Sequence, residues 1–132
     1  MSKIVSLSEA ASIALHGLIL IAREGESLNV IKIAERTSTS KHHVAKVMQR
    51  LVKAGFLYSQ RGPSGGFALK KKPEEINFLD IYETIEGNIE ISACPMEKPI
   101  CPFGKCIMNN VTNKMTIEFQ NYLREQTIDQ YI

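Results

Sequence analysis

The chain has 132 residues, 44% hydrophobic and 23% charged, which admits one domain with a real hydrophobic core and excludes both a disordered tail and two ordinary domains. Its most apolar stretch, 13–22, contains His16 and is about ten residues long, too short for a bilayer span. Glu9 lies between Lys3 and that stretch and no small-residue cleavage pattern follows, so a cytoplasmic protein without membrane contact is expected.

Charge is unevenly placed. Between Leu28 and Lys72, ten Lys and Arg stand against the single acid Glu35, a segment charge of +9, which leaves −7 for the rest of a chain whose net charge is +2. A basic segment joined to an acidic remainder is the footprint of a face that meets a polyanion, nucleic acid first.

In chain order, Ser6 and Glu9 have capping-box spacing and predict a helix over 7–23, with Ala11, Leu15, Leu18, Ile19 and Ala22 on its apolar face and Gly25 at its end. A shorter helix is predicted over 30–36, capped by Asn29, with Ile31, Ile33 and Ala34 pointing inward. The polar turn 37–40 then leads to a helix over 41–54, capped by Ser40, with Val44, Val47, Met48, Leu51 and Val52 as its buried stripe and Gly55 closing it. Short strands over 56–60 and 67–70 flank the glycine-rich run 61–66 and read as a hairpin. Asn77 and Gly87 bracket a further helix over 78–86. The segment 94–106 carries Pro95, Pro99, Pro102, Gly104 and all three cysteines, so it reads as irregular. A last long helix over 107–125 places Ile107, Val111, Met115, Phe119 and Tyr122 on one stripe.

Helix, turn, helix and basic hairpin are the layout of a winged helix-turn-helix. The expected fold is therefore mainly α with a small β-hairpin: a DNA-binding unit over 1–90, a cysteine-containing sensor loop over 91–106, and a dimerisation helix with its tail over 107–132. A terminal helix with one apolar stripe has little core left to cover in so short a chain. Pairing of that helix with its copy would set two reading helices roughly 34 Å apart on a palindromic operator.

The outer face of the third helix carries Ser40, Lys41, His42, His43, Lys46, Gln49 and Arg50. Gln49 or a histidine suits a base edge, whereas the cations suit phosphates; the plain alternative is a solvated charged face. At the wing, Arg61, Ser64 and Gly65 are the candidate contacts, because glycines and Pro63 let the backbone approach a duplex while one guanidinium enters the minor groove.

Cys94, Cys101 and Cys106 follow a C-x(6)-C-x(4)-C spacing. An odd number of thiols in a reducing compartment is a poor disulfide framework, and thiolates on irregular backbone suit a soft metal centre, zinc or iron–sulfur. The gaps are longer than the paired spacing of zinc fingers, which favours a cluster, [2Fe-2S] or [4Fe-4S]; zinc or a simple thiol redox switch is the alternative. With no C-x(2)-C pair, nucleotide fingerprint or triad, the chain is not expected to be an enzyme.

The opening helix with Leu15-His-Gly-Leu18, Ile33-Ala-Glu-Arg36, the helix end Arg50-Leu-Val-Lys-Ala-Gly55, the wing Arg61-Gly-Pro-Ser-Gly-Gly-Phe67 and the late cysteine loop together resemble the Rrf2 family of bacterial transcription regulators over nearly the whole chain. The resemblance implies a homodimer on double-stranded DNA, most often a repressor, with an iron–sulfur cluster held by the three cysteines. It also implies a fourth ligand. Where some members have a histidine three residues after the third cysteine, this chain has Asn109; where others use a carboxylate and a histidine from the first helix of the partner subunit, it has Ser12 and His16. His16, or Glu9 one turn before Ser12, is the remaining candidate.

Overall fold

A computed structural model describes residues 1–63, 65–92, 94–96 and 100–132, so that Ser64 at the wing tip and Pro99 in the cysteine loop lie outside the described residues. Among the described residues, five α-helices and one hairpin follow in the order α1 (Glu9–Glu24), α2 (Val30–Thr37), α3 (Lys41–Lys53), β1 (Leu57–Gln60), β2 (Gly66–Leu69), α4 (Phe78–Glu86) and α5 (Val111–Glu125). Short 3-10 turns, Pro73–Glu75 and Ile128–Tyr131, precede α4 and follow α5.

Local chemistry sets most of these bounds. Asn29, Ser40 and Asn77 accept the N–H of Lys32, His43 and Asp80 respectively, so α2, α3 and α4 each begin where a short polar side chain satisfies a free donor. The start of α1 departs from expectation: Ser8, not Ser6, is the cap, its hydroxyl accepting from Ala11 N–H. The helix therefore begins at Glu9. α5 begins at Val111 and not at Ile107, because Asn109 and Asn110 take left-handed backbone, which asparagine tolerates and a helix does not.

The core lies between α1, α2, α3 and the hairpin. Ile13, Leu18 and Ile21 of α1 meet Ile33 of α2 and Val44, Met48 and Leu51 of α3, and Leu57, Phe67, Ile76 and Ile81 close the cluster. Ile31 was expected to point inward but is 51% exposed, since on a helix of eight residues Ile33 and Ala34 already occupy the buried side. The C-terminal tail also belongs to this core. Phe78 N–H donates to Gln126 C=O and Ile128 N–H to Ile76 C=O, leaving Ile128 with no exposure. No helix among the described residues is long and apolar enough to cross a membrane.

Candidate nucleic-acid interface and cysteine loop

The wing is fixed to the body through backbone. β1 and β2 pair antiparallel from Leu57 opposite Leu69 to Gln60 opposite Gly66, and Leu28, between α1 and α2, exchanges two 2.9 Å hydrogen bonds with Phe67 as a one-residue third strand. A Cβ at Gly66 would lie 2.6 Å from Leu28 O, and one at Gly65 would lie 2.6 Å from Gln60 O, so both positions require glycine for the hairpin's own geometry. Gly65 is thereby explained without any ligand. Arg61, just before the turn, is exposed and makes no hydrogen bond or ion pair among the described residues.

Along α3, His42, Lys46, Gln49 and Lys53 are exposed and line one shallow depression together with Ala45 and Arg50. Lys41, in the first turn, is exposed as well. Three of the expected contact residues are committed inside the chain. Ser40 caps α3. The His43 ring meets Glu9 of α1, Nδ1 to Oε1, at 2.6 Å. The Arg50 guanidinium donates from Nη2 to the carbonyls of Ile85 and Thr84 at 2.8 and 3.2 Å. The cap at Ser40 was expected from the sequence, but the engagements of His43 and Arg50 were not; the nearest hint was a last turn of α4 with acids and no base. Lysines at the wing base went unremarked as contacts too. Lys70 Nζ lies 5.5 Å from the Tyr58 ring centre and Lys71 Nζ 4.5 Å from that of Phe56, which holds two cations beside the hairpin.

Between α4 and α5 the described residues of the cysteine loop form neither helix nor strand. All three thiols are free; Cys94 and Cys106 are half-buried and Cys101 is exposed. Backbone N–H groups of Asn110, then Met108, and less strongly Asn109, hold the Cys106 thiol below its ordinary pKa, against a smaller upward push from burial. Donor type and ionisation therefore suit a soft metal centre. Their placement does not complete one: among the described residues no three His, Cys, Asp or Glu side chains converge as a metal site.

Of the two candidates for a further ligand, Glu9 spends its carboxylate on His43, whereas His16 is exposed with Nδ1 2.7 Å from its own-turn Ser12 carbonyl. A carbonyl can only accept, so Nδ1 is the donor in this contact, and Nε2 has no partner among the described residues.

The loop and α5 leave apolar surface uncovered. Ile91, Met96, Ile100, Phe103, Ile107 and Met108 are exposed, as are Val111, Met115, Ile117 and Tyr122, and Leu123 is the one buried residue described in α5. Thr112 Oγ1 and Asn113 Oδ1 at the start of α5 are buried without a partner among the described residues.

The Rrf2 family model, described as an iron-dependent transcriptional regulator, matches residues 7–132. The chain is 31% identical over 128 residues to the HTH-type transcriptional regulator NsrR of Bacillus subtilis, covering 94% of this chain and 88% of that protein. It is 30% identical over 132 residues to NsrR of Bacillus licheniformis, covering 97% and 92% of the two chains. Two solved structures share the fold. CymR, the global cysteine regulator of B. subtilis, superposes with a TM-score of 0.78 at 22% identity over 96% of this chain and 95% of its own. IscR of T. potens superposes at 0.74 and 22% identity, over 96% and 85%. The winged helix-turn-helix expected from the hairpin and caps is the observed architecture, and its relatives are regulators and not enzymes. The chain belongs to the Rrf2 family of transcriptional regulators.

Proposed function

We propose that this regulator binds a palindromic DNA operator as a homodimer, and that the state of Cys94, Cys101 and Cys106 sets its affinity. The observation that carries this is the uncovered apolar surface running from the cysteine loop along α5, which sits on the same chain as an exposed basic reading helix. A monomer rarely leaves so much apolar surface open, and a second copy laid along α5 would cover it while pairing two reading helices. Lys41, Lys46, Lys53 and Arg61 then neutralise phosphates, and His42 and Gln49 face the base edges.

The three thiols supply soft donors, and an iron–sulfur cluster bound there, [2Fe-2S] or [4Fe-4S], would give a centre responsive to redox change or a small gaseous ligand. The free Nε2 of His16, presented by the partner subunit, suits the position that three cysteines leave open. The family's iron-dependent description and the NsrR and IscR relatives favour the cluster. A simple thiol switch is the second reading. The lowered pKa of Cys106 favours it. Either switch operates in the cytoplasm, where the DNA is.

The test is anaerobic purification, with a visible spectrum and iron, sulfide and zinc analysis, followed by footprinting on genomic fragments. The cluster reading predicts a brown protein whose colour is lost when all three cysteines are replaced, and a protected inverted repeat. A colourless protein holding zinc overturns the cluster. No protected repeat in either oxidised or reduced protein overturns the function.

A further inference from the structure

The last turn of α4 is the root from which the cysteine loop departs, and it is tied to both ends of the reading helix. Its final carbonyls lack helical partners, and α4 has no basic residue there to answer them; Arg50 of α3 supplies the cation and donates to Thr84 and Ile85. Glu83 of the same turn accepts Ile89 N–H at 2.8 Å, which fixes the first residues of the loop. Glu86 accepts the hydroxyl of Ser8, the cap of α1, and the adjacent Glu9 reaches His43 in the first turn of α3 at 2.6 Å. Arg50 follows Gln49 and stands one turn beyond Lys46, both on the outer face of α3.

We propose that Arg50 is a positioning residue, not a phosphate contact: it joins the root of the cysteine loop to the reading helix, so that a change of state in the loop is delivered to α3 within one chain as well as through the dimer. The proposal rests on the cysteine-gated function above. A planar guanidinium can hold two carbonyls at once, and a shift of either one is passed to α3 as a rotation about that fork. The Ser8–Glu86 and Glu9–His43 contacts carry the same displacement to the other end of α3.

Hydrogen exchange read by mass spectrometry tests this joint on the full chain, comparing reduced protein with protein alkylated at its cysteines by N-ethylmaleimide. In the wild type, alkylation changes exchange in the loop and also, by about fivefold, in the peptides of α3. In R50M the loop still responds, while the α3 response falls, most of all in the last turn around Arg50, where only the guanidinium ties α3 to α4. R50K, which keeps the charge but not the fork, responds at an intermediate level and replaces R50M in the comparison if that variant does not fold. An α3 response in R50M equal to that of the wild type overturns the joint, as does a wild-type α3 that ignores an altered loop. Salt titration of DNA binding reads the alternative: if R50M lowers the salt slope by about one and leaves the α3 response intact, Arg50 is a phosphate contact. Failure of every cysteine state to bind DNA, with the exchange response intact, would remove the regulatory function and leave the joint standing.

Discussion

The region from α1 to α4 and the region from the cysteine loop through α5 obey the same physical rules with opposite outcomes. α1 buries seven residues, from Ala11 to Ile21, against elements of its own chain, whereas α5, nearly as long, buries Leu123 and presents Met115, Ile117 and Tyr122 to solvent. The first region is complete as one chain. The second has the composition of an interior without an interior to occupy, and two buried oxygens, on Thr112 and Asn113, still lack partners among the described residues. The region proposed for assembly therefore differs from the folding unit in which apolar residues the chain covers by itself.

Breaking the complete region should cost most. Gly66→Ala drives a Cβ into the Leu28 backbone at a φ of 155°. It is expected to lower stability by about 3 kcal/mol, seen as a fall in Tm of about 10 °C. A melt within a degree or two of wild type would show that the wing is not anchored through Leu28.

Breaking the incomplete region should leave folding alone and destroy assembly. Met115→Asp with Tyr122→Asp is expected to give a folded monomer by light scattering, with DNA affinity reduced on the order of a hundredfold, or about 2.7 kcal/mol. Retention of the dimer would place the interface elsewhere. Lys46→Ala separates reading from steering: affinity should fall by a similar factor on all sequences and the salt slope should drop by about one, whereas Gln49→Ala should relax sequence preference. The smallest effect concerns Cys106. Its pKa is held down, so its thiolate persists as pH falls, and in reduced, metal-free protein its alkylation should have a midpoint below the ordinary thiol value of 9.0. A midpoint at or above that value would show that the Asn110 and Met108 donors do not reach the sulfur.

What was legible in the sequence divides along the same line. Caps are local: Asn29, Ser40 and Asn77 act on donors three residues away, so α2, α3 and α4 begin where composition says they should. Where two local signals compete, the outcome is less legible. Ser6 and Ser8 both precede an apolar run, and Asn109 and Asn110 break a stripe that the periodicity alone would extend back to Ile107. Long-range placements left no trace in the spacing. Nothing near Arg50 indicates carbonyls of α4, and nothing near Ile128 indicates a place in the core beside Ile76. The cysteines were legible as donors, because softness belongs to the residue type; that no three ligand side chains converge among the described residues was not, because it depends on how irregular backbone folds and not on spacing.

The most direct measurement is a pair of binding isotherms for the full-length protein on its footprinted inverted repeat, one with the cysteines loaded with iron and sulfide under anaerobic conditions and one with them metal-free and reduced. Control by the cysteine loop predicts dissociation constants about tenfold or more apart, collapsing to one value when Cys94, Cys101 and Cys106 are all replaced by serine. Superimposable isotherms from the intact protein in both states would contradict it.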